Sequence, residues 1–347
     1  MNQANIPDTM QAAVCDGPGE PLQIRHVPTP TPERGQYLVK LEYCGICHSD
    51  LHLRDGDENL PDEFYPLIFG HEGIGTIAAI GAYTDNALAI GTRVGLPWLY
   101  STCHDCSPCL SGHETFCPEQ HARGVQRHGA FAEYALLEAD FACVIPDSID
   151  PIRAAPVLCA GLTAWSGLKK THMQPGSNVL IIGAGGLGQY AIQIAKARGA
   201  RVLVIDLEQS KLNEAGKLGA DELIQAGAEA GHAVKAAGGA DVILNFAPSP
   251  TVWKTIETAA NPMSDIVVIA LIHDAVDLSM MWLIDGGHRV FGSSVGTRQE
   301  TRDILNFASS KPFAIDVETV PLSAVNNALD RLKAREVKGR LCIDFSM

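Results

Sequence analysis

The sequence has no hydrophobic run long enough to cross a membrane. Its longest apolar stretches, Val179 to Ile182 and Ile266 to Ile272, fall far short of the roughly 20 residues that a membrane-spanning helix needs. The first ten residues lack both the basic region and the apolar region of a signal peptide. We therefore expect a cytoplasmic protein that does not contact membranes.

Basic residues are also scarce. The chain of 347 residues has 26 Lys and Arg against 40 Asp and Glu, a net charge of −14, and no segment concentrates the basic ones. This balance disfavours nucleic acid as a partner. The length of 347 residues suggests about two domains. Hydrophobic residues make up 46% of the chain, which excludes a largely disordered protein.

The pattern of the sequence changes near its middle. Residues 12–150 contain short β-prone runs among glycines and prolines, which predicts a β-rich domain with long loops. Residues 155–295 repeat a strand, a glycine turn, a helix and a strand, which predicts a parallel βαβ sheet. Two further helices, at 301–310 and 322–335, and a strand at 340–345 are predicted to follow.

A glycine-rich turn follows the first predicted strand of the second region. Gly183, Gly185 and Gly188 match GxGxxG, whose glycines allow a tight turn, close approach of a pyrophosphate, and tight helix packing. Asp206 ends the next predicted strand, where a carboxylate accepts hydrogen bonds from an adenosine ribose and repels a 2′-phosphate. This favours NAD over NADP, although the nearby Lys211 softens the preference and a glycine turn without ligand remains an alternative.

Four cysteines occur within fifteen residues, at Cys103, Cys106, Cys109 and Cys117. Four thiolates on one loop are typical of a closed structural zinc site, which leaves no position for a substrate. Two disulfides or an iron–sulfur cluster are the alternatives that the spacing leaves open.

Other candidate metal ligands are far apart in the sequence. Cys47 and His71 lie in the first region and Cys159 lies near the start of the second. Taken singly, Cys47 also fits a redox pair with Cys44, His71 a hydrogen-bonded turn residue, and Cys159 a small buried side chain. They indicate a site only if the fold brings them together.

Together these motifs resemble the zinc-dependent alcohol dehydrogenases of the medium-chain dehydrogenase/reductase family. The resemblance rests on the order of CGICHSDLH, GHEGIG, the four-cysteine loop, LCAGLTAW, GAGGLG, VLVID and GRL along nearly the whole chain. It implies an α/β protein in which a GroES-like β-rich catalytic domain, residues 1–154 and 297–347, contains an inserted Rossmann domain with a doubly wound parallel sheet, residues 155–296.

The resemblance also implies two Zn²⁺ ions per chain. The structural zinc would be held by the four-cysteine loop, and the catalytic zinc by Cys47, His71 and Cys159, with Glu72 beside the metal. Asp50 would hydrogen-bond the ligating imidazole.

Further residues gain roles from the same resemblance. Ser49 and His52 would move the proton released by the alcohol to solvent, while hydride passes to NAD. Trp98 would line the substrate pocket. The implied cofactor contacts are His48, Thr163, Gly183, Gly185, Gly186, Leu187, Gly188, Asp206, Lys211 and Arg340.

The predicted activity is the reversible oxidation of a primary alcohol, with secondary alcohols as further candidates, by a homotetramer. Residues 57–60 replace a tryptophan-containing segment of relatives, which leaves the preferred alcohol open. Residues 261–265 replace the glycine-rich turn that relatives have before the next strand, so we expect a loop there with altered stability and unchanged chemistry. The alternatives are a polyol or amino-alcohol dehydrogenase, a thiol–disulfide oxidoreductase, and a non-catalytic zinc or nucleotide-binding protein.

Overall fold

The structure is a computed structural model that describes residues 6–58, 60–85, 87–272 and 274–347. Asn59, in the segment predicted to affect the substrate pocket, lies outside the described residues. The chain divides into two compact units. Unit 1 comprises residues 1–159 and 297–347, and unit 2 comprises residues 160–296.

Unit 1 begins with a series of strands interrupted by short helices. The strands of this first segment are β1 (Thr9–Cys15), β2 (Gln23–Pro28), β3 (Gln36–Ile46), β4 (Leu67–Ile68), β5 (Gly73–Ile80), β6 (Arg93–Leu96), β7 (Leu99–Ser101), β8 (His121–Ala122), β9 (Tyr134–Glu138) and β10 (Cys143–Val144). The helices are α1 (His48–Asp55), α2 (Ser107–Leu110) and α3 (Pro151–Ala154).

Unit 2 alternates helices and strands, as its sequence predicts. Its helices are α4 (Ala160–Lys169), α5 (Gly186–Ala197), α6 (Gln209–Lys217), α7 (Ala230–Ala236), α8 (Val252–Ala259) and α9 (Met280–Gly286). Its strands are β11 (Asn178–Ile182), β12 (Arg201–Asp206), β13 (Glu222–Gln225), β14 (Ala240–Asn245), β15 (Ala260–Val268) and β16 (Arg289–Gly292).

The last segment returns to unit 1. It contains α10 (Arg298–Ser310), β17 (Val317–Val320), α11 (Val325–Lys333) and β18 (Arg340–Asp344). Strand β18 pairs antiparallel with β3, and Leu341 lies opposite Ile46. The neighbouring residue Arg340 is thereby held beside the end of β3.

The main sheet of unit 1 is mixed and surrounds an apolar core. Within the described residues its strand order is β10-β6-β5-β3-β18-β17, with β9 also paired to β3. A small sheet, β2-β1-β4, and the pair β7-β8 complete the unit. The inward residues of β3 and β9, including Leu38, Val39 and Leu137, are almost fully buried, and this core supports the loops that leave the strand ends.

The sheet of unit 2 is parallel, with the strand order β13-β12-β11-β14-β15-β16 in the described residues. Its central strands are nearly continuous runs of Val, Leu and Ile because both faces of such a sheet are covered. From β11 the chain first adds β12 and β13 on one side of the sheet and then crosses to add β14 on the other side of β11. The turn after β11 therefore lies at the switch point, where open α/β sheets bind ligands.

The altered loop that we expected at 261–265 is instead part of β15. Ala240 pairs with Ala260 and Val242 with Asp265, so two steps along β14 correspond to five along β15. The extra residues of β15 form a bulge in the otherwise regular pairing of β14 with β15.

Asn261 fixes this irregularity through its side-chain amide. The amide donates hydrogen bonds to the carbonyl oxygen of Gly238 at 3.0 Å and to Oδ1 of Asp241 at 3.0 Å. Its oxygen accepts one from Lys235 at 3.1 Å. Asn261 thus holds the chain here through hydrogen bonds to the loop before β14, in place of a glycine-rich turn.

The helices of the described chain are all too short or too polar to cross a bilayer.

We expect Gly188→Ala to lower the free energy of unfolding of unit 2 by about 1–3 kcal/mol, the usual cost of overpacking. A β-carbon at this position would overlap the backbone carbonyl oxygen of Gly183, which has little room to move. Urea unfolding followed by circular dichroism measures the change.

Gly185→Ala is the matched control. A β-carbon there would meet no atom within 4 Å, so we expect a loss below about 1 kcal/mol, as for a helix N-cap change. Equal losses in both variants would contradict the packing argument.

Candidate active site

Three remote segments meet at the carboxyl end of β3. Cys47 directly follows β3 and caps α1. His71 and Glu72 precede β5, which pairs with β3 so that Gly73 lies opposite Cys44. Cys159 follows the short helical turn at 155–158. Ligand atoms of Cys47, His71, Glu72 and Cys159 lie within 4.8 Å of one another, and all four residues are buried.

The geometry and chemistry of this cluster fit a zinc ion. Sulfur atoms at about 2.3 Å from a tetrahedral Zn²⁺ are about 3.8 Å apart, and the Sγ atoms of Cys47 and Cys159 are 3.9 Å apart. Nε2 of His71 and Oε2 of Glu72 are buried without a hydrogen-bond partner among the described residues. Buried polar atoms are rarely left so, and a cation between them would satisfy both.

The carboxylate of Asp50 connects the segments that carry Cys47 and His71. Its fully buried carboxylate accepts hydrogen bonds from the backbone N–H groups of Cys47 at 2.9 Å and Gly70 at 3.1 Å. It also contacts Nδ1 of His71 at 3.2 Å. Because a carboxylate accepts hydrogen bonds, this contact assigns the proton to Nδ1 and leaves the lone pair of Nε2 directed into the cluster.

The two thiols of the cluster differ in acidity. The neighbouring Cys159 thiol, together with His71 and Arg340, lowers the pKa of Cys47 well below its usual value despite burial. The pKa of Cys159 is raised well above its usual value by Cys47 and by burial. The shift of Cys47 is in the direction of the thiolate, the form of cysteine that binds zinc.

Glu72 forms a buried ion pair that the sequence did not predict. Arg340 donates from Nη2 to Oε1 of Glu72, and both side chains are almost fully buried. Burial raises the pKa of Glu72 to about 7, although the charge of Arg340 opposes this shift. The predicted role of Arg340 at a pyrophosphate stays a prediction, and in this structure the guanidinium binds the carboxylate of Glu72.

Gly45 makes room for Glu72. A β-carbon at Gly45 would overlap Oε2 of Glu72, so only glycine allows the carboxylate to lie against β3. Glycine inside a strand often marks such a close approach. The glycine of the CGIC sequence was therefore a signal for this contact.

Helix α1 carries the three polar residues predicted for proton transfer and cofactor binding. Oγ of Ser49 lies 4.0 Å from Sγ of Cys47, which places the hydroxyl beside the ligand cluster. His48 is exposed and its ring centroid lies 6.5 Å from that of His52. Ser49 and His52 are three residues apart and therefore share one side of the helix.

Trp98 lies edge-on to His71, with ring centroids 4.9 Å apart and an angle of 85° between the planes. The indole thus contacts a predicted metal ligand and borders the cluster. This contact restricts the space next to the imidazole.

The four-cysteine loop forms a second cluster. The sulfur atoms of Cys103, Cys106, Cys109 and Cys117 lie within 4.8 Å of one another, and all four are free thiols. The distances from Cys103 Sγ are 3.9 Å to Cys109 Sγ and 3.5 Å to Cys117 Sγ, close to the tetrahedral value. The backbone N–H of Cys106 donates to Cys103 Sγ at 3.4 Å, as expected around metal thiolates.

The glycine-rich turn of unit 2 has the conformation expected for a phosphate site. Gly183 has a φ of 96°, a left-handed value that favours glycine. Gly185 caps helix α5 and has open space where a side chain would begin. Gly186 and Leu187 form the first turn of this twelve-residue helix, whose free N–H groups attract phosphate.

Asp206 ends β12 close to this turn. Its carboxylate accepts hydrogen bonds from the backbone N–H groups of Ala184 at 2.7 Å and Glu208 at 2.9 Å. Lys211 pairs with Glu208 at 2.8 Å, so its charge is directed to that carboxylate. Thr163 is buried in α4, and its predicted contact with the nicotinamide stays a prediction.

Comparison with known proteins places both regions in one family. Residues 33–147 match the alcohol dehydrogenase GroES-like domain, and residues 186–310 match the zinc-binding dehydrogenase domain. An alcohol dehydrogenase of Geobacillus stearothermophilus is 37% identical over 338 residues, 96% of this chain and 98% of that protein. One from a Moraxella species is 38% identical, over 97% of this chain and 100% of that protein.

Solved structures of similar proteins have the same fold. Acetophenone reductase from Geotrichum candidum, determined in complex with NAD, superposes with a TM-score of 0.88 and 28% identity, covering 98% of each chain. The fold class predicted from the sequence is confirmed. Because relatives above 30% identity match almost from end to end, the chain belongs to the zinc-binding alcohol dehydrogenases of the medium-chain dehydrogenase/reductase family.

Proposed function

We propose that the protein is a zinc- and NAD-dependent alcohol dehydrogenase that interconverts primary alcohols and aldehydes, and secondary alcohols and ketones. The observation that carries this proposal is the buried cluster of Cys47, His71, Glu72 and Cys159, with an unsatisfied imidazole nitrogen and carboxylate oxygen. Two sulfurs and one imidazole are a ligand set of catalytic zinc sites with an open fourth position.

In this proposal Cys47, His71 and Cys159 hold the catalytic metal. A bound Zn²⁺ supplies Lewis acidity at the alcohol oxygen, and NAD supplies the hydride acceptor. Asp50 fixes the orientation of His71 through its 3.2 Å contact with Nδ1. Glu72 remains beside the metal, held by Arg340.

The chain must also remove the proton of the alcohol. The hydroxyl of Ser49 lies 4.0 Å from the sulfur of Cys47, and His52 lies on the same side of α1, partly exposed to solvent. We propose that these two residues carry the proton from the buried site to water. General acid–base groups of this kind contribute roughly 10²–10⁴-fold to a rate.

Unit 2 is proposed to be the NAD-binding domain and unit 1 the catalytic domain. The open space at Gly185 and the N-terminus of α5 accommodate a pyrophosphate. Asp206 retains unused lone pairs for ribose hydroxyls, although it already accepts two backbone hydrogen bonds. His48, Thr163, Leu187 and the other predicted cofactor contacts remain part of this proposal, as does the homotetramer, which sedimentation would test.

We expect the purified protein to contain about two zinc ions per chain, one for each cluster. Cys47→Ser should reduce this to about one and abolish alcohol oxidation, while the far-ultraviolet circular dichroism is retained. Cys109→Ser is the matched variant, because it removes a sulfur from the other cluster. Zinc is measured by atomic emission, and about one ion per chain in the unmodified protein would contradict the proposal.

We expect Asp206→Ser to lower the preference for NAD over NADP about tenfold, because a ribose hydroxyl loses its charged acceptor and a 2′-phosphate loses a repelling charge. The measurement is kcat/KM for each cofactor at saturating alcohol. Glu214→Gln, on the following helix, is a control for the general change of charge. An unchanged cofactor ratio for Asp206→Ser would exclude the proposed contact.

We expect Trp98→Ala to raise kcat/KM for branched and aromatic alcohols about tenfold relative to ethanol, because it removes the indole that borders His71. A panel of linear, branched, aromatic and secondary alcohols, followed by NADH absorbance, measures the ratio. A parallel decrease for all alcohols would show that Trp98 supports the metal ligand without limiting the pocket.

A further inference from the structure

Asp57 contacts the imidazole of His52 at the end of helix α1. Oδ2 of Asp57 lies 2.8 Å from Nδ1 of His52. The backbone N–H of Asp57 also donates to the carbonyl oxygen of His52 at 3.0 Å. The two residues are thus joined both through the backbone and through their side chains.

The helix ending explains why Asp57 reaches back to His52. Gly56 has a left-handed conformation, with φ of 80° and ψ of 12°, and its N–H donates to carbonyl oxygens of the last helical turn. This left-handed cap reverses the chain after α1. The next residue, Asp57, is therefore directed back along the helix to His52.

The contact determines which nitrogen of His52 can accept a proton. An ionised carboxylate accepts hydrogen bonds and donates none, so Nδ1 carries the proton. In the neutral imidazole, Nε2 is then the acceptor. We infer that Asp57 is a positioning residue that holds His52 in the tautomer and orientation needed to take up the alcohol proton; this inference rests on the proposed function.

The other charged side chains at this end of α1 already have partners. Arg54 pairs with Asp330 at 2.7 Å, and Asp55 pairs with Lys333 at 2.7 Å, which ties α1 to α11. Among the described residues, Asp57 is the carboxylate that forms an ion pair with the imidazole. The ion pairs of Arg54 and Asp55 thus anchor α1 to α11, whereas Asp57 orients the imidazole of His52.

The pair is accessible to water. The side chain of His52 is 36% exposed and that of Asp57 is 51% exposed. Exposed pairs of this kind are weak, so the effect on the rate should be moderate. The same exposure allows a small carboxylate from solution to replace a missing side chain.

The kinetic test compares Asp57→Ala with the unmodified enzyme at saturating NAD and alcohol. We expect kcat to fall about fivefold with little change in the KM for alcohol, and formate to restore much of the loss. Formate should not restore His52→Gln, which lacks the imidazole. Glu318→Ala removes a comparable exposed carboxylate, paired with Arg331 at 2.7 Å, and should leave kcat unchanged.

A second test does not depend on activity. In the protein as purified, labelled with ¹⁵N-histidine, the His52 signals, identified by their loss in His52→Gln, should show the tautomer protonated at Nδ1. Asp57→Ala should lower the population of this tautomer of His52.

An unchanged kcat in Asp57→Ala, failure of formate to restore it, or a His52 protonated only at Nε2 in the unmodified protein would each overturn the inference. An unmodified protein that binds zinc but oxidises no alcohol would overturn the proposed function and, with it, this inference.

Discussion

The carboxylate of Asp50 joins the parts of the site that come from different segments of the chain. It accepts two backbone N–H groups, one from the end of β3 and one from the loop before β5, and it contacts the imidazole between them. A buried carboxylate needs hydrogen-bond partners, and these three groups supply them. Its charge and its three contacts hold the ligand cluster in place before a metal ion is bound.

The site contains buried charged groups of opposite sign that partly neutralise one another. Burying Glu72 and Arg340 is unfavourable for each alone, and their pairing offsets part of that cost. The charge of the same guanidinium also lowers the pKa of the Cys47 thiol. A divalent cation held by Cys47, His71 and Cys159 would complete the balance.

Much of this arrangement could be predicted from the sequence. The parallel sheet of unit 2 follows from apolar strands and a GxGxxG turn, and the four-cysteine loop follows from spacing over a short segment. By contrast, Cys47, His71 and Cys159 could be joined only through resemblance, because their proximity depends on pairing between distant strands. The pairing of Arg340 with Glu72 was missed for the same reason, since β18 meets β3 across almost the whole chain. The bulge at 261–265 was missed because an Asn replaces glycine by a side-chain hydrogen bond, which local patterns do not reveal.

The position of β18 in chain order affects how the protein is made. Unit 2 is one continuous segment and holds its own core, so it can fold soon after it leaves the ribosome. Unit 1 is completed only when β18 pairs with β3, about 300 residues after that strand was synthesised. During translation the cysteines of the first segment are therefore present long before Arg340 can reach Glu72.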